Sequence, residues 1–143
     1  MPVAEKVVYI EKSVSQMFTL VDNVEDYPLF MPWCGGASVD ERFEDGLTAT
    51  LHIDFHGIKQ SFSTRNHYTG QEMISIKLVS GPFKVLDGEW RFKALGDSAC
   101  KIEFRLHYEF SNKLLEKLVG PVFQRISTTF VDAFIHRAEK VYV

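Results

Sequence analysis

Side chains that ionise, attack or ligate are present in this sequence, but few stand in a working arrangement. His52, Asp54 and His56 recur at i, i+2 and i+4. On a strand that spacing puts all three on one face, where they could ligate a metal or shuttle a proton. No fourth ligand accompanies them, and the alternating segment around them reads as the wet face of an exposed strand. The two cysteines, Cys34 and Cys100, form no C-x-x-C pair and fit no zinc spacing. Cys34 follows Trp33 in an apolar run, whereas a reactive thiol needs a cationic or helix-N-terminal setting, so it reads as a small buried residue. There is no G-x-S-x-G elbow, no Walker A loop, no G-x-G-x-x-G turn, and no Ser, His and Asp in triad context. We therefore assign no catalytic residue and no metal ligand from the sequence, and expect a protein that is not an enzyme.

The sequence is instead rich in aromatic carbon. Twelve Phe, 5 Tyr and 2 Trp make up 13% of 143 residues. Such an interior is either packed solid or hollowed around an apolar ligand. The sheet-facing positions Phe55, Phe62, Trp90, Phe92 and Phe104, with Phe123, Ile126 and Phe130 from a C-terminal helix, are the expected cavity lining. Trp33 and Phe83 sit on turns and are expected at its mouth. The polar residues on the dry faces are Tyr68, Tyr108, Thr64 and Asn66. That is thin equipment for steering an enolate or a carbonyl, and it favours binding over catalysis.

Net charge is −3, so the chain as a whole does not complement DNA. Residues 1–70 carry 5 basic and 10 acidic side chains, and residues 71–143 carry 11 basic and 9 acidic. Arg91, Lys93 and Arg105 fall on the outer sheet face by parity, where they could meet a polyanion. Glu89, Glu103 and Glu109 share that face. The start at Met1 has no basic stretch followed by an apolar one, so no secretory signal is expected. The longest uncharged run, Tyr27 to Val39, is broken by Pro28, Pro32, Gly35 and Gly36 and is too short to cross a bilayer. These features predict a cytoplasmic protein with reduced thiols, folded as one domain over residues 1–143.

The elements that position these residues are legible in the hydrophobic period. Val3–Glu11 reads as a strand. Ser13 and Gln16 form a capping box for a short helix. Asn23 begins a second short helix that should stop near Tyr27, because Pro28 disfavours helix in the residue before it. From Gly35 to Phe110 the period is two, and Asp45-Gly46, His56-Gly57, Thr69-Gly70, Gly81-Pro82 and Gly96-Asp97-Ser98 mark turns. The glycines punctuate strands. Asn112–Val141 restores the helical period, with Pro121 expected to kink or restart the helix. The fold class is α+β: a curved antiparallel sheet of about seven strands around a long C-terminal helix, with two short helices after strand one. This is a helix-grip arrangement.

Four segments carry a resemblance. They are Tyr27-Pro28-Leu29-Phe30-Met31-Pro32-Trp33-Cys34, Ser80 to Trp90 (SGPFKVLDGEW), Tyr108-Glu109-Phe110-Ser111-Asn112, and Phe134-Ile135-His136-Arg137-Ala138. In this order they resemble the START-like (Bet v 1-like) branch of coenzyme Q-binding proteins and ribosome association toxins, also described as polyketide cyclase/dehydrase-like. The resemblance implies a helix-grip fold without a catalytic apparatus. It implies one of two principal roles: holding ubiquinone in support of respiratory electron transport, or binding the large ribosomal subunit and blocking subunit association. In the first role no cofactor is required, the ligand is a prenylquinone or lipid, and transient contact with the inner membrane is implied. The tail would lie between sheet and helix, with the head group at the mouth by Trp33 and Phe83. In the second role Arg91, Lys93 and Arg105 would face the ribosome. A third role, as a cyclase or aromatase, would need convergent polar groups in the cavity.

Overall fold

The computed structural model describes residues 3–142. Its elements are β1 (Val3–Ile10), α1 (Val14–Asp22), a 3-10 helix (Val24–Leu29), β2 (Cys34–Phe43), β3 (Gly46–Phe55), β4 (Ile58–Thr69), β5 (Met73–Ser80), β6 (Phe83–Ala94), β7 (Cys100–Phe110) and α2 (Lys113–Val141). The seven strands form one antiparallel sheet in the order β1-β7-β6-β5-β4-β3-β2. The helix-grip expectation holds: a curved sheet is covered by the long C-terminal helix. Consecutive strands from β2 to β7 are hairpin neighbours, while β1 pairs with β7, so α1 and the 3-10 helix carry the chain from one sheet edge to the other.

Local chemistry accounts for the element ends. Ser13 Oγ accepts from the Gln16 N–H at 3.1 Å, and the Ser13 N–H donates to Gln16 Oε1 at 2.9 Å, a complete capping box. Asn112 Oδ1 accepts from the Leu115 N–H at 2.9 Å and starts α2. Asn23 makes no side-chain cap, and the 3-10 helix runs through Pro28 to Leu29 instead of stopping near Tyr27. The carbonyl that Pro28 leaves unpaired belongs to exposed Glu25, where water can serve it. Pro121 likewise does not end α2. It lies on the solvent side, and so does Lys117, whose carbonyl loses its partner. At the β3–β4 hairpin His56 and Gly57 have φ of 52° and 81°, the two-residue turn with positive φ at both positions that matches strand twist. Gly88 is different. It sits mid-strand in β6, and a Cβ there would lie 2.6 Å from the Arg105 carbonyl oxygen. This glycine permits close approach of β6 to β7, so not every glycine punctuates a turn.

One face of the sheet is dry. Along β7 Ile102, Phe104, Leu106, Tyr108 and Phe110 are buried while the residues between them are half-buried or exposed. Helix α2 covers that face with Val119, Phe123, Ile126, Val131, Phe134 and Ala138. Tyr27 is buried beneath α1 and donates its hydroxyl proton to the Val21 carbonyl at 2.6 Å. Burial pushes its pKa well above the usual value, and burial also raises Tyr68, helped by its bond to Asp22. Both phenols must therefore stay protonated in the native state, whereas unfolded tyrosines ionise near about pH 10. Their contribution is fully present below that pH and is lost as pH rises above it. Tyr27→Phe is expected to flatten this alkaline loss by up to about 1.4 kcal/mol per pH unit. Urea unfolding between pH 9 and 11 checks this, and an unchanged slope would contradict it.

Candidate functional site

Between the sheet and α2 lies an internal cavity of about 70 Å³. The first helices supply Val21, Val24 and Tyr27; β3 supplies Ala49 and Leu51; β4 supplies Phe62, Thr64 and Asn66. Trp90, Phe104 and Leu106 form the floor, and Phe123, Ile126, Ser127 and Phe130 descend from α2. The volume suits a few water molecules and is far short of a prenyl chain. Aromatic rings fill most of the space between sheet and helix here. Trp90 lies 5.1 Å from Phe134 and 5.7 Å from Phe130, and Phe104 lies 5.4 Å from Phe130, centroid to centroid.

A second, open space of about 990 Å³ runs along the outer side of α2. Leu29, Phe30, Pro32 and Phe55 form one bank, and Arg125, Thr129, Ala133, His136, Arg137 and Lys140 the other. Trp33 and Ile126 border both spaces and so form the wall between them. The cations of this groove lean on its aromatics. The Arg125 guanidinium lies 5.7 Å from the Phe55 ring centre and that of Arg137 5.3 Å from Phe30. Asp132 and Glu139 also border the groove, Asp132 paired with Lys6 at 3.5 Å.

Of the ten residues expected to line a cavity, Trp33, Phe62, Trp90, Phe104, Phe123, Ile126 and Phe130 line the inner one. Phe55 lies instead on the outer groove. Phe83 and Phe92 line neither space. Phe83 stacks on Phe110 at 5.0 Å and meets Phe123 at 4.8 Å. Phe92 lies parallel to Trp90 at 5.9 Å and is covered by Phe18 of α1 at 6.0 Å. Trp33 and Phe83 are also well separated. Their partners on α2, Phe130 and Phe123, are seven residues or roughly 10 Å of helix apart. No single mouth holds both.

The polar residues sort differently from the expectation. Thr64 and Asn66 line the cavity, together with Tyr27 and Ser127, which the sequence reading missed. Ser127 was findable, since it lies four residues after Phe123 on the buried stripe. Tyr108 packs among Phe83, Phe110 and Phe123 outside the lining. Tyr68 donates its hydroxyl proton to Asp22 Oδ1, which also receives Arg42 Nη1 at 3.2 Å, tying α1 to β4 and β2.

His52 and Asp54 face solvent from β3, with His52 Nδ1 2.6 Å from Ser61 Oγ. His56 has left the strand for the hairpin turn. Among the described residues no group of three His, Cys, Asp or Glu side chains is arranged to hold a metal ion. Cys34 and Cys100 are buried, and burial pushes both thiols up, away from the thiolate. On the outer sheet face Arg91 is met by Glu89 at 3.2 Å and Arg105 by Glu5 at 3.7 Å. Lys93 stands opposite Lys101 in the β6–β7 register. No helix among the described residues is long and apolar enough to cross a membrane.

Comparison with known proteins places this geometry. The chain is 41% identical over 142 residues to the ribosome association toxin RatA of Escherichia coli K12, spanning 99% of this chain and 90% of that protein. It is 24% identical over 132 residues to the mitochondrial coenzyme Q-binding protein COQ10 of Drosophila melanogaster, spanning 90% of this chain and 54% of that protein. The ZhuI aromatase/cyclase of Streptomyces sp. R1128 superposes with a TM-score of 0.86 over 99% of this chain and 96% of that one, at 15% identity, a likeness of fold alone. The family described as polyketide cyclase / dehydrase and lipid transport matches residues 10–135. By the family match over most of its length, supported by its relatives, this chain belongs to that polyketide cyclase / dehydrase and lipid transport family.

Proposed function

We propose that this chain is a non-catalytic binder of a hydrophobic small molecule, with a prenylquinone such as ubiquinone as the class that fits best. The observation that carries this reading is the apolar cavity walled off by Trp33 and Ile126 from a larger groove with an apolar bank. An isoprenoid tail laid along Leu29, Phe30 and Phe55 would gain on the order of 25 cal/mol per Å² removed from water. COQ10, named for coenzyme Q binding, supports the quinone over other lipids. Leu29, 68% exposed at the groove's edge, suits transient contact with the membrane in which such a ligand dissolves. On this reading the protein works in the cytoplasm or at the inner membrane, in support of respiratory electron transport. A cyclase reading has less support, because the cavity's polar residues are Tyr27, Thr64, Asn66 and Ser127 and none carries charge at neutral pH. Trp33 and Trp90 both line the cavity, so adding a short-tailed ubiquinone should quench tryptophan emission saturably. Quenching that rises without saturation would contradict the proposal.

A second reading rests on the 41% identity to RatA across nearly the whole chain: association with the ribosome, at its large subunit. The cations that support it best are those free of carboxylate partners at ion-pair distance. Arg91 and Arg105 are paired, whereas Arg125 and Arg137 lie on aromatic rings in the groove. Reversing Arg125 and Arg137 to Glu is expected to lower co-sedimentation with large ribosomal subunits by about 10-fold or more at low salt. Reversing Arg91, Lys93 and Arg105 should lower it less. The opposite ranking would move the contact to the outer sheet face.

A further inference from the structure

Thr64 and Ser127 are the two buried polar residues of the described core, at 7% and 5% exposure, and both line the inner cavity beside Asn66. Burying polar groups in an apolar chamber is unfavourable unless they find partners. Two of these groups are partly satisfied within the protein. The Thr64 hydroxyl donates to Asn66 Oδ1 at 3.0 Å, and the Ser127 hydroxyl donates to the Gln124 carbonyl at 3.0 Å. Each hydroxyl keeps lone pairs as acceptors. The Asn66 amide is left with its NH₂ as a donor that meets no acceptor among the described residues. In this arrangement Thr64 engages the oxygen end of the amide and the NH₂ end is free.

We propose that Asn66, oriented by Thr64, is the anchor for a carbonyl oxygen of the ligand. The ligand therefore turns its oxygen-bearing end toward the inner cavity, which must widen beyond its about 70 Å³ as Trp33 and Ile126 part, and leaves its apolar tail in the groove. This inference rests on the hydrophobic-ligand reading above and adds an orientation and a selectivity to it. The placement along β3 agrees. Thr64 pairs with Ala49 and Asn66 with Leu47, while the Trp33 carbonyl bonds the Asp54 N–H at the other end of the same strand. Five to seven residues, roughly 17–23 Å of strand, separate the polar end from the end at Trp33. Phe18 packs at 5.1 Å on Tyr68, two residues beyond Asn66, and the groove opens beyond Trp33. A carbonyl at Asn66 gains a donor, and the acceptors Thr64 and Ser127 would take the hydroxyl protons of a reduced ring. A pure hydrocarbon would leave the Asn66 NH₂ without a partner.

Quinones and fatty esters both carry carbonyls, so three probes are needed: a ubiquinone with two isoprene units, methyl oleate, and squalene, which has no oxygen. Native mass spectrometry would titrate each into the wild type and into Asn66→Leu. Asn66→Leu is expected to weaken the carbonyl probe that binds by about 3–10-fold and to leave squalene unchanged or tighter. Whichever carbonyl probe binds the wild type more tightly identifies the source. Infrared difference spectra give a readout that a purely structural role would not move. The bound carbonyl stretch should shift down in the wild type and return toward its free value in the variant. Thr64→Val keeps shape and should show a smaller change in the same direction, so it substitutes if Asn66→Leu does not fold. Equal weakening of squalene and of the carbonyl probe, or an unshifted carbonyl, would overturn the anchor while leaving hydrophobic binding intact. Failure of the wild type to take up any probe would overturn the underlying reading and the anchor with it.

Discussion

Trp90→Ala is expected to destabilise the chain by about 3–5 kcal/mol, the range for deleting a large buried aromatic. Trp90 is 1% exposed at the centre of β6. Its ring meets Phe92, Phe104, Phe130 and Phe134 at centroid distances of 5.9, 4.6, 5.7 and 5.1 Å. These neighbours come from β6, β7 and α2, so they cannot collapse together to refill the space. A domain holds only about 5–15 kcal/mol in total, so the variant should sit near its folding threshold. The urea midpoint should fall with little change in slope. A loss under about 1 kcal/mol would show that the site relaxes freely and that the sheet and α2 are not held apart by this ring.

The second large effect is on ligand uptake. Phe130→Asp is expected to weaken hydrophobic ligand binding by about 100-fold or more, equivalent to about 2.7 kcal/mol. Phe130 borders the inner cavity 6.2 Å from Trp33 and 5.4 Å from Phe104. A carboxylate there must either stay hydrated, filling the cavity with water, or be desolvated at a cost of several kcal/mol. Phe130 is half-buried, which gives the folded variant a way to keep the charge wet. His52→Ala is the control, since His52 faces solvent beside Ser61 on the other side of the sheet. Equal losses in the two variants, with both folded, would remove the binding site from the cavity.

The fold was legible because its signals are local. The alternation of β7, the Ser13–Gln16 capping box and the turn at His56-Gly57 each follow from neighbouring residues alone. Strand parity also put Phe62, Trp90 and Phe104 on the correct face. Parity reports a face but not a depth. Phe92 shares its face with Trp90, yet Phe18 of α1 covers it, and only the packed fold places α1 there. Phe55 shares its face with Ile53 but lies at the hairpin end, beyond the cavity. The neutralisation of Arg105 depends on β1 pairing with β7 in the register Glu5 to Arg105, a contact between residues 100 positions apart. The stop expected at Pro28 and the kink or restart expected at Pro121 weigh the missing N–H without its setting. In both places the orphaned carbonyl lies on an exposed residue.

The most direct test is native mass spectrometry, with lipid extraction, of the protein purified from a quinone-replete bacterial host. A co-purifying prenylquinone is expected at near one molecule per chain, lost in Phe130→Asp. A protein that emerges without lipid and takes up no added quinone would contradict hydrophobic binding and leave the ribosome reading as the one to pursue.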